Sequence, residues 1–313
     1  MNIITNITSA TKRLATVLTL ITRFAGAMHL CQLTSFVIAP FSERIVFDIN
    51  SKVCGTVWGF MQWIFERRKK ARITYSGDQL PKKESAMVIS NHRSWTDFYL
   101  LHSIAIRRGM LSNCKYFIKD SLKWIPFFGW GMWLAGFIFV RRTWMRDQHR
   151  VNATFAKVDR LKAPIWVMSF VEGSRLTPEK LRAAQEFSEQ RDLPIMQNVM
   201  VPRVKGFVAC MSKLRKSHVK YLYDFTVAYR HGGTKAGFGI APNMIQIHVL
   251  PHLSPEYEFH VNVKRYAMED LPSEEKELTH WLRERFMEKD AFLENLKENW
   301  VDGLDEEIWT EDW

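Results

Sequence analysis

Two short apolar runs, residues 86–90 and 165–171, constrain this chain most, because each stops abruptly at a polar block. Runs of that length, rich in β-branched residues, mark strands buried on both faces, as in a sheet covered by helices on each side. From about Ile73 the chain keeps alternating. Segments 115–118, 136–142, 221–230, 244–250 and 258–263 read as further strands, whereas 98–106, 146–161 and 274–296 read as helices. Such alternation predicts an α/β fold built on a single mixed sheet. No repeat or low-complexity linker interrupts residues 73–297, which are therefore predicted to form one domain.

The first 72 residues follow another rule. Between Leu14 and Phe41 the only charge is Arg23, and residues 24–41 are uncharged throughout. A helix over that span rises roughly 27 Å, close to the roughly 30 Å hydrocarbon core of a bilayer. A shorter apolar stretch follows at 53–65. Lys12 and Arg13 precede the first stretch, and Arg67, Arg68, Lys69, Lys70 and Arg72 follow the second. Positive charge on both outer flanks predicts a hairpin that dips into the membrane with its ends on the cytoplasmic face. His29, Gln32 and Pro40 interrupt the first stretch. A cleavable signal peptide is imitated by Lys12-Arg13 and Ala25-Gly26-Ala27, but Arg23 lies inside its apolar region and a second apolar stretch follows. An organelle transit peptide stays open, since no acid precedes Glu43.

Charge narrows the partners. The chain carries +11 overall, yet residues 298–313 hold seven acids and no base, so the preceding 297 carry +18. That balance suits anionic lipid headgroups or nucleic acid. The acidic end reads as a solvated tail, with a bound amphipathic peptide (Leu304, Ile308, Trp309) as the other reading. Four scattered cysteines argue against a disulfide framework and against a Cys-rich zinc site. His248 and His252 have the spacing of a helical zinc pair, but Pro251 and β-rich neighbours argue for structural histidines, so no metal is expected. Twelve tryptophans and 21 phenylalanines make either a large core or interfacial anchors.

Four blocks carry the chemistry. The first, Asn91-His92-Arg93-Ser94-Trp95-Thr96-Asp97, leaves the strand at 86–90. An imidazole that titrates near neutrality, beside a carboxylate able to orient it, is the minimal kit for general-base catalysis. On one continuous helix the two side chains diverge by about 140°. They meet only if the chain turns after the strand, with Ser94 as N-cap and Asp97 in the first helical turn. Plain helix capping explains Ser94 and Asp97 equally well when the block stands alone. The third block, Glu172-Gly173-Ser174-Arg175, ends the strand at 165–171; loop glycines admit a ligand, and Arg offers a fork for phosphate. Ser174 lacks the G-x-S-x-G setting of a hydrolase nucleophile. Arg141-Arg142 in the second block, with Arg203 and Lys205 flanking Pro202 in the fourth, would add cations suited to a phosphate headgroup, though each pair alone reads as a solvated edge.

In this order the blocks resemble the glycerolipid acyltransferase family, typified by 1-acyl-glycerol-3-phosphate acyltransferases, over roughly residues 73–265. The run Lys119-Asp120-Ser121-Leu122-Lys123-Trp124-Ile125-Pro126-Phe127-Phe128-Gly129 is similar to the family's segment before its second block. The resemblance implies that His92 is the general base and Asp97 its partner. It also implies that Arg142, Glu172, Gly173 and Arg175 bind glycerol phosphate and that Pro202 shapes the acyl-donor side. Arg141 and Ser174 depart from the acid and the Thr that many members carry, which leaves headgroup and chain preference open. The expected reaction moves a fatty acyl group from acyl-CoA or acyl-carrier protein to a lysophospholipid, with no cofactor. Residues 73–297 are then the catalytic domain, at a membrane and facing the cytoplasm, without a nucleic-acid partner. Compact length makes the chain more similar to bacterial members, pointing to an inner membrane. A larger lysolipid headgroup, hydrolysis by water, or a non-catalytic basic membrane-binding protein are the competing readings.

Overall fold

Helices α1 (Ile3–Leu33), α2 (Ser35–Ile38) and α3 (Glu43–Trp63) open the structure, a computed structural model that describes residues 3–141 and 144–300. Ser42 caps α3, its hydroxyl accepting the Ile45 N–H at 3.3 Å. The chain folds back on itself here: Phe24 meets Phe60 at 4.7 Å, and the Asn50 amide donates to Ser35 Oγ at 3.0 Å. A π turn over Ile64–Arg68 leads into β1 (Ile73–Gly77). Then come β2 (Ala86–Ser90), α4 (Asp97–Arg107), β3 (Cys114–Lys119), α5 (Phe128–Leu134), β4 (Ile138–Val140), α6 (Trp144–Leu161) and β5 (Trp166–Phe170). The last third holds α7 (Pro178–Glu189), α8 (Val204–Leu214), β6 (Tyr221–His231), α9 (Met244–Val249), β7 (Tyr257–Ala267) and α10 (Glu275–Glu298).

The seven strands form one sheet in the order β1-β7-β6-β2-β5-β3-β4. All neighbours are parallel except β6 and β7. Thus β6, β2, β5, β3 and β4 send their carboxyl ends to one edge, where ligands bind in open α/β sheets. The two faces are sorted by strand alternation. On β6, Tyr223, Phe225, Val227 and Tyr229 enter the core shared with α3 and α4, while Leu222 and Ala228 join the core under α6, α8 and α10. Such double burial explains why β2 and β5 read as unbroken apolar runs.

Three expectations need correction. Residues 244–250 were expected as a strand and form α9. Asn243 accepts from Ile245 and Gln246 N–H, and the Gln246 side chain reaches back to the Asn243 N–H at 2.8 Å, so a capping box outweighs the β-branched neighbours. His248 consequently lies inside a helix, its Nδ1 bonded to Met244 O, while His252 falls beyond it. The strand expected at 136–142 is shorter, Ile138–Val140. Ser94 was expected as the N-cap of α4. Regular helix begins three residues later at Asp97, after a turn closed by Asp97 N–H to Ser94 O at 3.3 Å. Residues 301–313, most of the expected acidic tail, lie outside the described residues, as does Arg142.

Candidate active site

β2 delivers Asn91, whose side-chain amide is pinned to β6: it donates to Val227 O at 3.0 Å and accepts the Val227 N–H at 2.8 Å. The backbone can therefore turn sharply without loosening the sheet. His92 follows, and the turn brings its Nδ1 to 2.6 Å from Asp97 Oδ2. Oδ2 also accepts the N–H groups of Arg93 at 2.6 Å and Ser94 at 3.1 Å, while Oδ1 accepts the Tyr229 hydroxyl at 2.5 Å. Asp97 is fully buried but amply supplied with donors, as a buried acid must be. Because Asp97 only accepts, the network assigns the Nδ1–H tautomer to His92 and leaves Nε2 with a lone pair. No hydrogen bond to Nε2 occurs among the described residues. The ring stacks on Phe170 at 3.9 Å and keeps 14 % of its side chain exposed.

The block after β5 closes over this turn. Leu176 N–H donates to His92 O at 2.7 Å, and His92 N–H to Glu172 Oε2 at 3.3 Å. Glu172 is buried, its Oε1 has no partner among the described residues, and burial pushes its carboxyl up to about 8. Gly173 has φ +76°, and a Cβ there would sit 2.6 Å from Arg203 Nε, so only glycine lets the Arg203 side chain cross this loop. Arg203 N–H in turn donates to Val171 O at 2.8 Å, which fastens the fourth block to the end of β5. Arg175, Arg203 and Lys205 are exposed, Ser174 is half-buried, and Pro202 is buried.

A carboxyl held that high leaves the folded chain with a proton the unfolded chain has already released. Its contribution to stability is full below the ordinary carboxylate range and is lost as pH rises through about 8. Glu172→Gln is therefore expected to shift Tm in the variant's favour, relative to the parent, between about pH 5 and about pH 9. Calorimetry across that range checks it, and a pH-independent difference refutes it.

The cationic rim is less uniform than its sequence suggests. Arg141 Nε lies 3.6 Å from Asp120 Oδ2, and its backbone N–H donates to Asp147. Two residues were missed entirely. Tyr229 sits in an apolar strand, and only the need of a buried phenol for a partner hints at its bond to Asp97. Arg93 belongs to the first block, but nothing local marks its role: its Nε donates to Gly239 O at 2.7 Å, tying the turn to the loop after β6. Gly239 has φ +78°, and a Cβ would meet that guanidinium at 2.1 Å.

An imidazole backed by a buried carboxylate, at a sheet edge that also carries exposed cations, is chemically able to take a proton from an incoming hydroxyl. Residues 72–230 match the family described as Acyltransferase and 254–301 match Acyltransferase C-terminus: this chain belongs to the acyltransferase family. It is 33 % identical to 1-acyl-sn-glycerol-3-phosphate acyltransferase 3 of Arabidopsis thaliana over 85 % of this chain and 69 % of that one. The human 1-acyl-sn-glycerol-3-phosphate acyltransferase gamma is 27 % identical over 85 % and 69 %. The crystal structure of the 1-acyl-sn-glycerophosphate acyltransferase of Thermotoga maritima superposes with a TM-score of 0.48 at 16 % identity, covering 91 % of this chain and 97 % of that one.

Proposed function

We propose that this enzyme acylates the free hydroxyl of 1-acyl-glycerol-3-phosphate, giving phosphatidic acid, at the cytoplasmic face of a membrane. The reading is carried by the His92–Asp97 pair at 2.6 Å, which occupies Nδ1 and leaves Nε2 without a hydrogen-bond partner among the described residues. As the hydroxyl oxygen attacks the thioester carbonyl of acyl-CoA or acyl-carrier protein, Nε2 takes its proton. Asp97 holds the ring and steadies the imidazolium, as in a Ser-His-Asp triad without the serine. Collapse of the tetrahedral adduct breaks the C–S bond, and the imidazolium returns the proton to the departing thiolate. Arg175 and Arg203, beside the Glu172–Gly173 turn, hold the phosphate so that the hydroxyl meets the carbonyl; Arg142 is assigned to the same group by family resemblance. Such positioning supplies several kcal/mol of the barrier.

Arg175→Ala is expected to raise KM for the phosphate-bearing acceptor about tenfold to a hundredfold, the worth of a charge-assisted hydrogen bond, with a smaller change in kcat. An unchanged acceptor dependence would remove Arg175 from the site. The decisive experiment offers a panel of lysolipids with either thioester donor and identifies products by mass spectrometry. Diacylglycerol phosphate as the main product supports the reading; acylation only of larger headgroups, or release of free fatty acid, overturns it.

A further inference from the structure

The polar interruptions of α1 have a use that sequence does not reveal. Gln32 Nε2 donates to Gly131 O of α5 at 3.1 Å, its Oε1 faces His29 Nδ1 at 3.3 Å, and the His29 ring lies 5.7 Å from Trp130. Both polar side chains are buried against α5. Much of the apolar surface of α1 points the other way: Leu18, Leu20, Leu30 and Leu33 are exposed, although Ile21 and Ala25 are buried, and an 18-residue apolar window within Leu14–Ile38 is only 17 % buried. A core helix would show the reverse. Apolar exposure also continues onto the segment stapled to α1, where Trp124 is 73 % and Trp133 60 % exposed. Among the described residues, all exposed large hydrophobics but Phe187, Ile195, Ile240 and Met287 lie on α1, on elements packed against it, or in the turns that adjoin those elements.

The geometry points to residues 124–133 as an interfacial anchor that, together with the outward face of α1, seats the enzyme on an anionic bilayer. This rests on the proposed lipid chemistry only for its purpose, since the surface stands without it. Tryptophan favours the headgroup boundary, and cations beside it favour anionic lipid. Both occur here. Lys123 lies 5.3 Å from the Trp124 ring, and Lys123, Arg141 and Arg150 gather around Asp120, with Asp147 accepting the Arg141 N–H. At the far end of α3, Arg68 lies 5.9 Å from the exposed Trp63 ring. The anchor also leaves the sheet at the carboxyl end of β3, the edge that carries His92. Seating this segment in the headgroup layer holds the open side of the site at the depth where a lysolipid hydroxyl lies.

The test compares the full chain with Trp124→Ser/Trp133→Ser and with the control Phe187→Ser, which exposes its ring on α7. Partition onto phosphatidylcholine vesicles, with and without phosphatidylglycerol, is measured by co-sedimentation, with circular dichroism to verify the fold. Removing two large apolar contacts is expected to weaken binding roughly tenfold to a hundredfold, most visibly on anionic vesicles, and to reduce quenching by brominated lipid. Phe187→Ser is expected to bind as the parent does. Parent-like binding by the double variant would overturn the proposal, leaving α1 as the sole attachment. A change in self-association instead of vesicle binding would also overturn it, assigning the face to a second copy. Acyl transfer to a short-chain lysolipid in solution is assayed on the same preparations. Its absence in the parent would defeat the proposed reaction without touching the vesicle result.

Discussion

His92→Ala is expected to lower kcat/KM for acyl transfer by about a thousandfold, the middle of the range for losing a positioned general base. The reason is geometric. The incoming hydroxyl is too weak an acid to attack as an alkoxide near neutrality, so its proton must leave as the new C–O bond forms. In the proposed mechanism Nε2 receives it, since Nδ1 is committed to Asp97 at 2.6 Å. The substitution should leave the fold intact, because Asp97 keeps the Arg93 and Ser94 N–H groups and the Tyr229 hydroxyl. Single-turnover kinetics with matched melting curves checks both halves. Transfer within a few-fold of the parent, by a folded variant, would mean that the proton leaves by another route.

Sequence revealed what is local and hid what is distant. The His92–Asp97 turn was legible because strand, turn and helix start lie within a dozen residues and obey short-range rules. The partners that fix its geometry come from far along the chain. Tyr229 and Val227 reach it through the pairing of β2 with β6, a register that no local pattern specifies. The misread α9 shows the opposite failure: its capping signal, Asn243 with Gln246, is local but is masked by apolar, strand-like residues. His29 and Gln32 looked like flaws in a membrane segment because sequence cannot say which face of a helix meets protein. For Arg141 the sequence left a phosphate ligand and a solvated edge both open, and its neighbour Asp120, 21 residues earlier, is not marked by any local pattern.

Lys289→Met is expected to destabilise the enzyme by about 3–5 kcal/mol, as when one partner of a buried ion pair is removed. In sequence α10 is simply a charged helix, and nothing marks one of its lysines as internal. In the structure Lys289 Nζ lies 2.6 Å from Asp224 Oδ1 and donates also to Phe225 O at 2.8 Å and Thr226 Oγ1 at 2.9 Å. Burial opposes both charges, pushing Asp224 up and Lys289 down, and their contact offsets that cost. Without the lysine, a buried carboxylate is left unpaired. Asp224→Leu/Lys289→Met removes both charges and should recover most of the loss, since apolar replacements of buried pairs are often near neutral. Chemical denaturation of the three proteins checks this, and equal loss in single and double variants would show that packing, not charge, is at stake. The consequence reaches the site through β6. Asp224 and Thr226 bond to Lys289 of α10, whereas the Val227 main chain bonds the Asn91 amide and the Tyr229 hydroxyl bonds Asp97, so one strand is held both by α10 and by the turn at the site. Lys289 also draws the Glu172 carboxyl downward, so its loss is expected to carry that group higher still. Stability and the poise of the reactive turn should therefore fall together in the single variant and return together in the double.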